Sequence, residues 1–147
     1  LVAILNDLDI HRAHYWGYGL GGDIGAAVEQ TVRQAGDFAI LEDYLGHGIG
    51  TAMHMPPEVP NRGRPGKGLR LRDGMALAIE PMVCAGARYT QTLADDWTVV
   101  TADGLRACHW EHTVALTDEG PWVLTALDGG AARFAALGVA SPASSRA

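Results

Sequence analysis

The chain has 147 residues and a mass of 15.5 kDa, the size of one compact domain; 48% of its residues are hydrophobic and 19% charged. No apolar run is long enough to span a bilayer, and the composition excludes a disordered chain. A formal net charge of −6, from 17 acidic against 11 basic side chains, gives no electrostatic grip on a phosphate backbone, which excludes nucleic acid as a partner.

In chain order, residues 1–21 form an unassigned segment. An apolar start is followed by His11, His14, Tyr15, Trp16 and Tyr18, at neither helical nor strand spacing. The segment lacks the basic start and small-residue cleavage site of a signal peptide. It also lacks an initiator methionine, so it reads as the start of a processed product or a fragment. Two cysteines, Cys84 and Cys108, are too few and too far apart for a disulfide framework or a thiolate zinc site. A reducing, cytoplasmic location is expected.

From Asp23 the pattern sharpens. Ile24, Ala27, Val28, Thr31, Val32 and Ala35 fall at helical spacing, with Asp23 as N-cap and Gly36 as the stop. Short β-type runs follow at 38–41, 75–82, 97–101, 112–117 and 122–125, separated by Gly, Pro and Asp turns. The proline-rich stretch 55–67 reads as an irregular surface loop. Residues 129–147, rich in Ala, Ser and Gly, read as a flexible tail. The expected class is α+β, an antiparallel sheet with flanking helices occupying 22–128.

Three constellations carry chemistry. Gly46-His47-Gly48-Ile49-Gly50 sets one imidazole among glycines that permit close backbone approach, with His54 seven residues on. The bland alternative is a glycine-rich turn with an incidental histidine. Ile79-Glu80-Pro81-Met82 puts a carboxylate inside an apolar run, which is costly if buried without a cation or donors; an edge strand with Glu80 facing water is the alternative. Trp110-Glu111-His112-Thr113 places a second glutamate at the mouth of a β run, with the same alternative. Together, one neutral imidazole and two carboxylates suit Zn, Mn, Fe or Co. A second histidine nearby could then serve a substrate, and metal-assisted hydrolysis is the reading from chemistry alone.

These strings, with His54 and Pro57, Gly74-Met75, Trp97-Thr98-Val99 and Glu111-His112-Thr113-Val114, resemble in order and spacing the C-terminal half of type I methionine aminopeptidases. Gly22-Asp23-Ile24-Gly25-Ala26-Ala27 is similar to the start of the helix that precedes the family's glycine-histidine motif. The resemblance implies half of the pita-bread (creatinase/aminopeptidase) fold. It also implies removal of the initiator methionine from nascent polypeptides, with two divalent ions (Co, Mn, Fe or Zn) per complete site. His47 and Glu80 would be metal ligands, and Glu111 would bridge the two ions. His54 would bind the scissile amide, Met53 and Trp97 would line the pocket for the methionine side chain, and Glu80 would also pass a proton to the leaving amine. His109 departs from the glutamine common at its place.

The family's centre also takes two aspartates, with ten residues between them, and a further histidine from its N-terminal half. No two of the eleven aspartates here stand eleven positions apart, and Asp7 and Asp9 do not match the pair. An incomplete copy is therefore expected, with catalysis by this chain alone in doubt and self-association through the uncovered face as one outcome. The alternatives are a non-catalytic remnant that binds a peptide or partner, and a proline-specific aminopeptidase of the same fold, which Met82 and His112 disfavour.

Overall fold

The computed structural model describes residues 20–145. The readings placed on the N-terminal segment, including Asp7, Asp9, His11 and His14, lie outside the described residues. Helix α1 spans Leu20–Ala35 and ends before Gly36 as expected, but it starts three residues ahead of Asp23. Asp23 is therefore not the N-cap. It sits in the first turn, where its Oδ1 accepts the Gly66 N–H at 2.7 Å and ties the following loop to the helix.

Ten strands follow among the described residues: β1 (Ala39–Ile40), β2 (Gly46–Ile49), β3 (Met55–Val59), β4 (Ala76–Ile79), β5 (Met82–Cys84), β6 (Thr90–Thr92), β7 (Val99–Thr101), β8 (Ala107–His109), β9 (His112–Thr117) and β10 (Gly120–Val123). Helix α2 (Ala131–Ala136) and a 3-10 turn (Pro142–Ser145) complete the chain, and no helix among the described residues is long and apolar enough to cross a membrane. The strands form a five-stranded sheet, β10-β9-β4-β2-β3, a three-stranded sheet, β1-β5-β8, and the β6-β7 hairpin. Every pairing is antiparallel, the α+β architecture expected.

Both edges of the large sheet carry proline, Pro56 and Pro57 in β3 and Pro121 in β10. An edge strand needs no ladder donor on its outer side, so proline is tolerated there and nowhere deeper. This is why 55–59 is a strand although its prolines read as loop.

Side chains alternate across the large sheet. On one face Leu77 and Ile79 of β4 join Val114 and Leu116 of β9 in a buried cluster, roofed by Ala27 and Val28 of α1 and Phe134 of α2. The segment read as a flexible tail thus contains a packed helix, with Phe134 fully buried. The opposite face carries His47 and Ala78, paired in register.

The central strands do not stop at the edge of the sheet. The run read as one strand, 75–82, breaks at Glu80-Pro81 into β4 and β5, which belong to different sheets. Its partner breaks at Trp110-Glu111 into β8 and β9. Ile79 pairs with His112 and Met82 pairs with His109, so one register runs through both breaks and sets Glu80 opposite Glu111. The Trp110 N–H donates to the Pro81 carbonyl at 3.2 Å and holds the seam closed.

Three exposed turns are pinned by aspartates. Asp95 accepts the Thr98 hydroxyl and N–H at 2.6 and 2.9 Å and the Trp97 N–H at 3.1 Å. Asp103 accepts the Leu105 and Ala87 N–H groups, and Asp128 the Ala132 and Gly130 N–H groups at the start of α2. These bonds favour the charged form and hold all three carboxyls below the ordinary 3.8. Their stabilisation is present above the unfolded-state value and lost as pH falls through the lower folded values. Thermal melts should therefore show stability falling on acidification below about pH 4, with a shallower fall in the Asp103→Asn, Asp128→Asn double variant; an unchanged slope would contradict the assignment.

Candidate metal centre

Glu80 is the best-buried carboxylate at the seam, 8% exposed. Its main chain is fixed by Asn61, a buried side chain whose Nδ2 donates to the Glu80 carbonyl at 3.3 Å and the Tyr44 carbonyl at 3.4 Å. Each carboxylate oxygen faces an imidazole. His47 Nε2 stands 3.2 Å from Oε1, and His109 Nε2 stands 3.2 Å from Oε2. The reading of Glu80 as a water-facing edge residue is thus replaced: β4 is central, and its continuation is enclosed by both neighbours.

His47 is aimed by its own strand. Its Nδ1 lies 2.9 Å from the Gly48 carbonyl, which can only accept, so Nδ1 carries the proton. That leaves Nε2 on the Glu80 side, where with a cation bound it would supply its lone pair, the arrangement of a metal-ligating histidine whose other nitrogen donates to a backbone carbonyl. The glycines on either side serve packing. A Cβ at Gly46 would lie 2.2 Å from the Ala78 carbonyl oxygen, and one at Gly48 would lie 2.3 Å from the Pro56 carbonyl oxygen. The second approach arises where the β2–β3 register shifts after His47 and β3 bulges at its prolines. The alternative of an incidental turn does not hold, because Gly46–Ile49 is a strand between two others.

Among the described residues, Glu80, His109 and Glu111 form a group whose ligand atoms all lie within 4.8 Å of one another. Two ligands each about 2.0–2.2 Å from a shared ion stand at most about 4.4 Å apart, so a small side-chain adjustment closes this group on a cation. His47 meets it at the other Glu80 oxygen. One buried carboxylate, a second directly across the strands and two imidazoles make a nitrogen and oxygen donor set that fits a divalent ion. Glu111 is exposed, so solvent screens part of the repulsion between the facing carboxylates when no cation stands between them.

His54 follows β2 in an exposed loop, and its ring lies 4.3 Å from the His47 ring, centroid to centroid. The chain therefore brings His47, His54, Glu80 and Glu111 together. Met53 and Trp97 stand on exposed loops, 71% and 86% accessible. Neither lines the cleft of about 230 Å³ beside the centre, whose walls include Tyr44, Met82, Cys108 and His109. Sequence reasoning missed two contributors. Asn61 carries no local signal, and His109 was noted without a role; only the strand register places it at Glu80.

A buried carboxylate between two imidazoles, across a sheet seam from a second carboxylate, is the kind of centre a metallohydrolase builds. The chain belongs to metallopeptidase family M24, whose sequence profile matches residues 16–118. It is 52% identical over 96 residues to methionine aminopeptidase 1 of Bacillus subtilis, covering 65% of this chain and 39% of that protein. It is 53% identical over 108 residues to methionine aminopeptidase 1 of Mycobacterium tuberculosis, covering 70% of this chain and 41% of that protein. The methionine aminopeptidase structure from Thermotoga maritima superposes with a TM-score of 0.70 at 40% identity, over 84% of this chain and 49% of that one. That from Rickettsia prowazekii gives 0.69 at 34% identity, over 84% and 50%. The likeness to part of the pita-bread fold is borne out, and the chain spans about 40% of the length of these curated relatives.

Gly48→Ala should destabilise the chain by about 1–3 kcal/mol, because the added Cβ meets a backbone carbonyl that cannot rotate away. Urea unfolding measures it, and a loss under half a kilocalorie would contradict the close approach.

Proposed function

We propose that this chain forms the part of a methionine aminopeptidase that carries His47, Glu80 and Glu111 as metal ligands and His54 as the substrate-facing histidine. The whole enzyme would remove the initiator methionine from nascent polypeptides. The observation that carries the reading is Glu80, buried at the seam with an imidazole 3.2 Å from each oxygen and Glu111 opposite in register. Support comes from relatives that are methionine aminopeptidases at 52–53% identity.

A complete site would hold two divalent ions, Co, Mn, Fe or Zn. Bound, such ions polarise a carbonyl and make a water more acidic. The chain's own residues do the rest. His54, one ring away from His47, donates to the scissile amide and steadies the charge that develops on it. Glu80 holds a proton between the centre and the leaving amine. Met53 and Trp97, exposed here, become walls for the thioether side chain once the rest of the enzyme covers them. That cover would bring the two aspartates missing from this chain. Without it, the exposed Trp97 and Trp110 favour self-association. Two free cysteines, Cys84 buried and Cys108 exposed, suit a cytoplasmic location.

The chain alone should release no methionine from a methionyl-alanyl peptide in cobalt or manganese buffer. Adding the N-terminal half of the Bacillus subtilis relative should restore release, and Glu80→Gln should cut the restored rate by roughly 10²–10⁴-fold. No release from the mixture, or faster cleavage of an alanyl-prolyl peptide, would contradict the proposal.

A further inference from the structure

His109 is the one imidazole at the centre that the reading above leaves without a task. It is the last residue of β8, and Met82, its register partner, lies two residues past Glu80. Its side chain is 47% exposed. Yet its Nε2 is 3.2 Å from Glu80 Oε2, and the two residues belong with Glu111 to the group whose ligand atoms lie within 4.8 Å of one another. His47 occupies the other oxygen of Glu80, so the two rings address opposite sides of one carboxylate. At that distance the ring can donate to Glu80, and the same nitrogen stands where a cation shared with Glu111 would draw on it.

We propose that His109 is a metal ligand: His109 Nε2, Glu80 Oε2 and a Glu111 oxygen form a three-donor position that holds one divalent cation within this chain, without the two aspartates. Three protein donors plus solvent is the coordination of an open site rather than a closed structural one. Replacing a possible oxygen donor by imidazole moves the position away from Mg and Mn and towards Co and Zn along the affinity order of nitrogen-rich sites. The cation also resolves the electrostatics of the seam, where Glu80 and Glu111 otherwise face each other directly across two strands. This deepens the reading of the centre as a metal site and rests on it.

The test is Co(II) titration of the 147-residue chain by calorimetry and visible absorption, with proton NMR of the Co(II) form. The wild type should bind one ion at this position and show a far-shifted, solvent-exchangeable resonance from the His109 Nδ1–H. His109→Gln should lose that resonance and bind Co(II) more weakly by at least the roughly 10–100-fold that even outer-shell partners of metal ligands are worth. Far-UV circular dichroism should show its fold intact, as expected for a half-exposed side chain. Equal affinity and unchanged spectra in His109→Gln would overturn the proposal. If Glu80→Gln abolishes binding in that case, the aminopeptidase reading survives without His109; if Glu80→Gln also binds normally, both fall. A wild type that binds no Co(II) overturns the three-donor position, while methionine release in the two-part mixture still judges the aminopeptidase reading on its own.

Discussion

Two carboxylates face each other where a pair of antiparallel strands passes from one sheet into another. Glu80 and Glu111 are cross-strand partners by a register that survives both breaks, and Glu80 is almost wholly buried. Like charges so placed destabilise a sheet unless something positive stands between them. The surroundings supply the means to hold a cation: an imidazole against each Glu80 oxygen, and Asn61 fixing the backbone beneath.

The rest of the fold serves that juxtaposition. The apolar faces of β4 and β9 are roofed by α1 and α2, which fixes the strands from behind and leaves the His47 face to chemistry. Glycines at 46 and 48 let β2 lie close enough to β3 and β4 for His47 to reach Glu80. Pro81 ends the ladder of β4 right after Glu80, so the carboxylate sits at a strand end, not in the middle of a continuous sheet. A chain that spans about 40% of its methionine aminopeptidase relatives thus holds His47, His54, Glu80 and Glu111 close together.

Much of this was legible in the sequence where local chemistry decides the outcome. The alternation of 112–117 predicts β9 with its observed bounds, and the apolar spacing after Asp23 predicts α1 apart from its start. The motif order names the family, and it singles out His47, His54, Glu80 and Glu111, which the fold brings together. What the sequence hides depends on neighbours. β3 looks like loop because its prolines are acceptable only at a sheet edge, and edge status is a property of the whole sheet. β8 is three exposed residues with no apolar period to betray it. Phe134 is buried because α2 folds back on β10 and its neighbours, which a small-residue composition does not reveal. The orientation of His109 follows from strand register alone, and Met53 and Trp97, named from motif position, remain exposed.

The central claim is that the Glu80–Glu111 pair is built for a cation, and Glu111→Gln tests it by a reversal of sign. In chelator the variant should melt above the wild type, because the facing charges are relieved. In excess Co(II) the wild type should gain stability by binding and overtake the variant. A variant that melts with or below the wild type in chelator, together with no metal-induced rise in the wild type, would contradict the account.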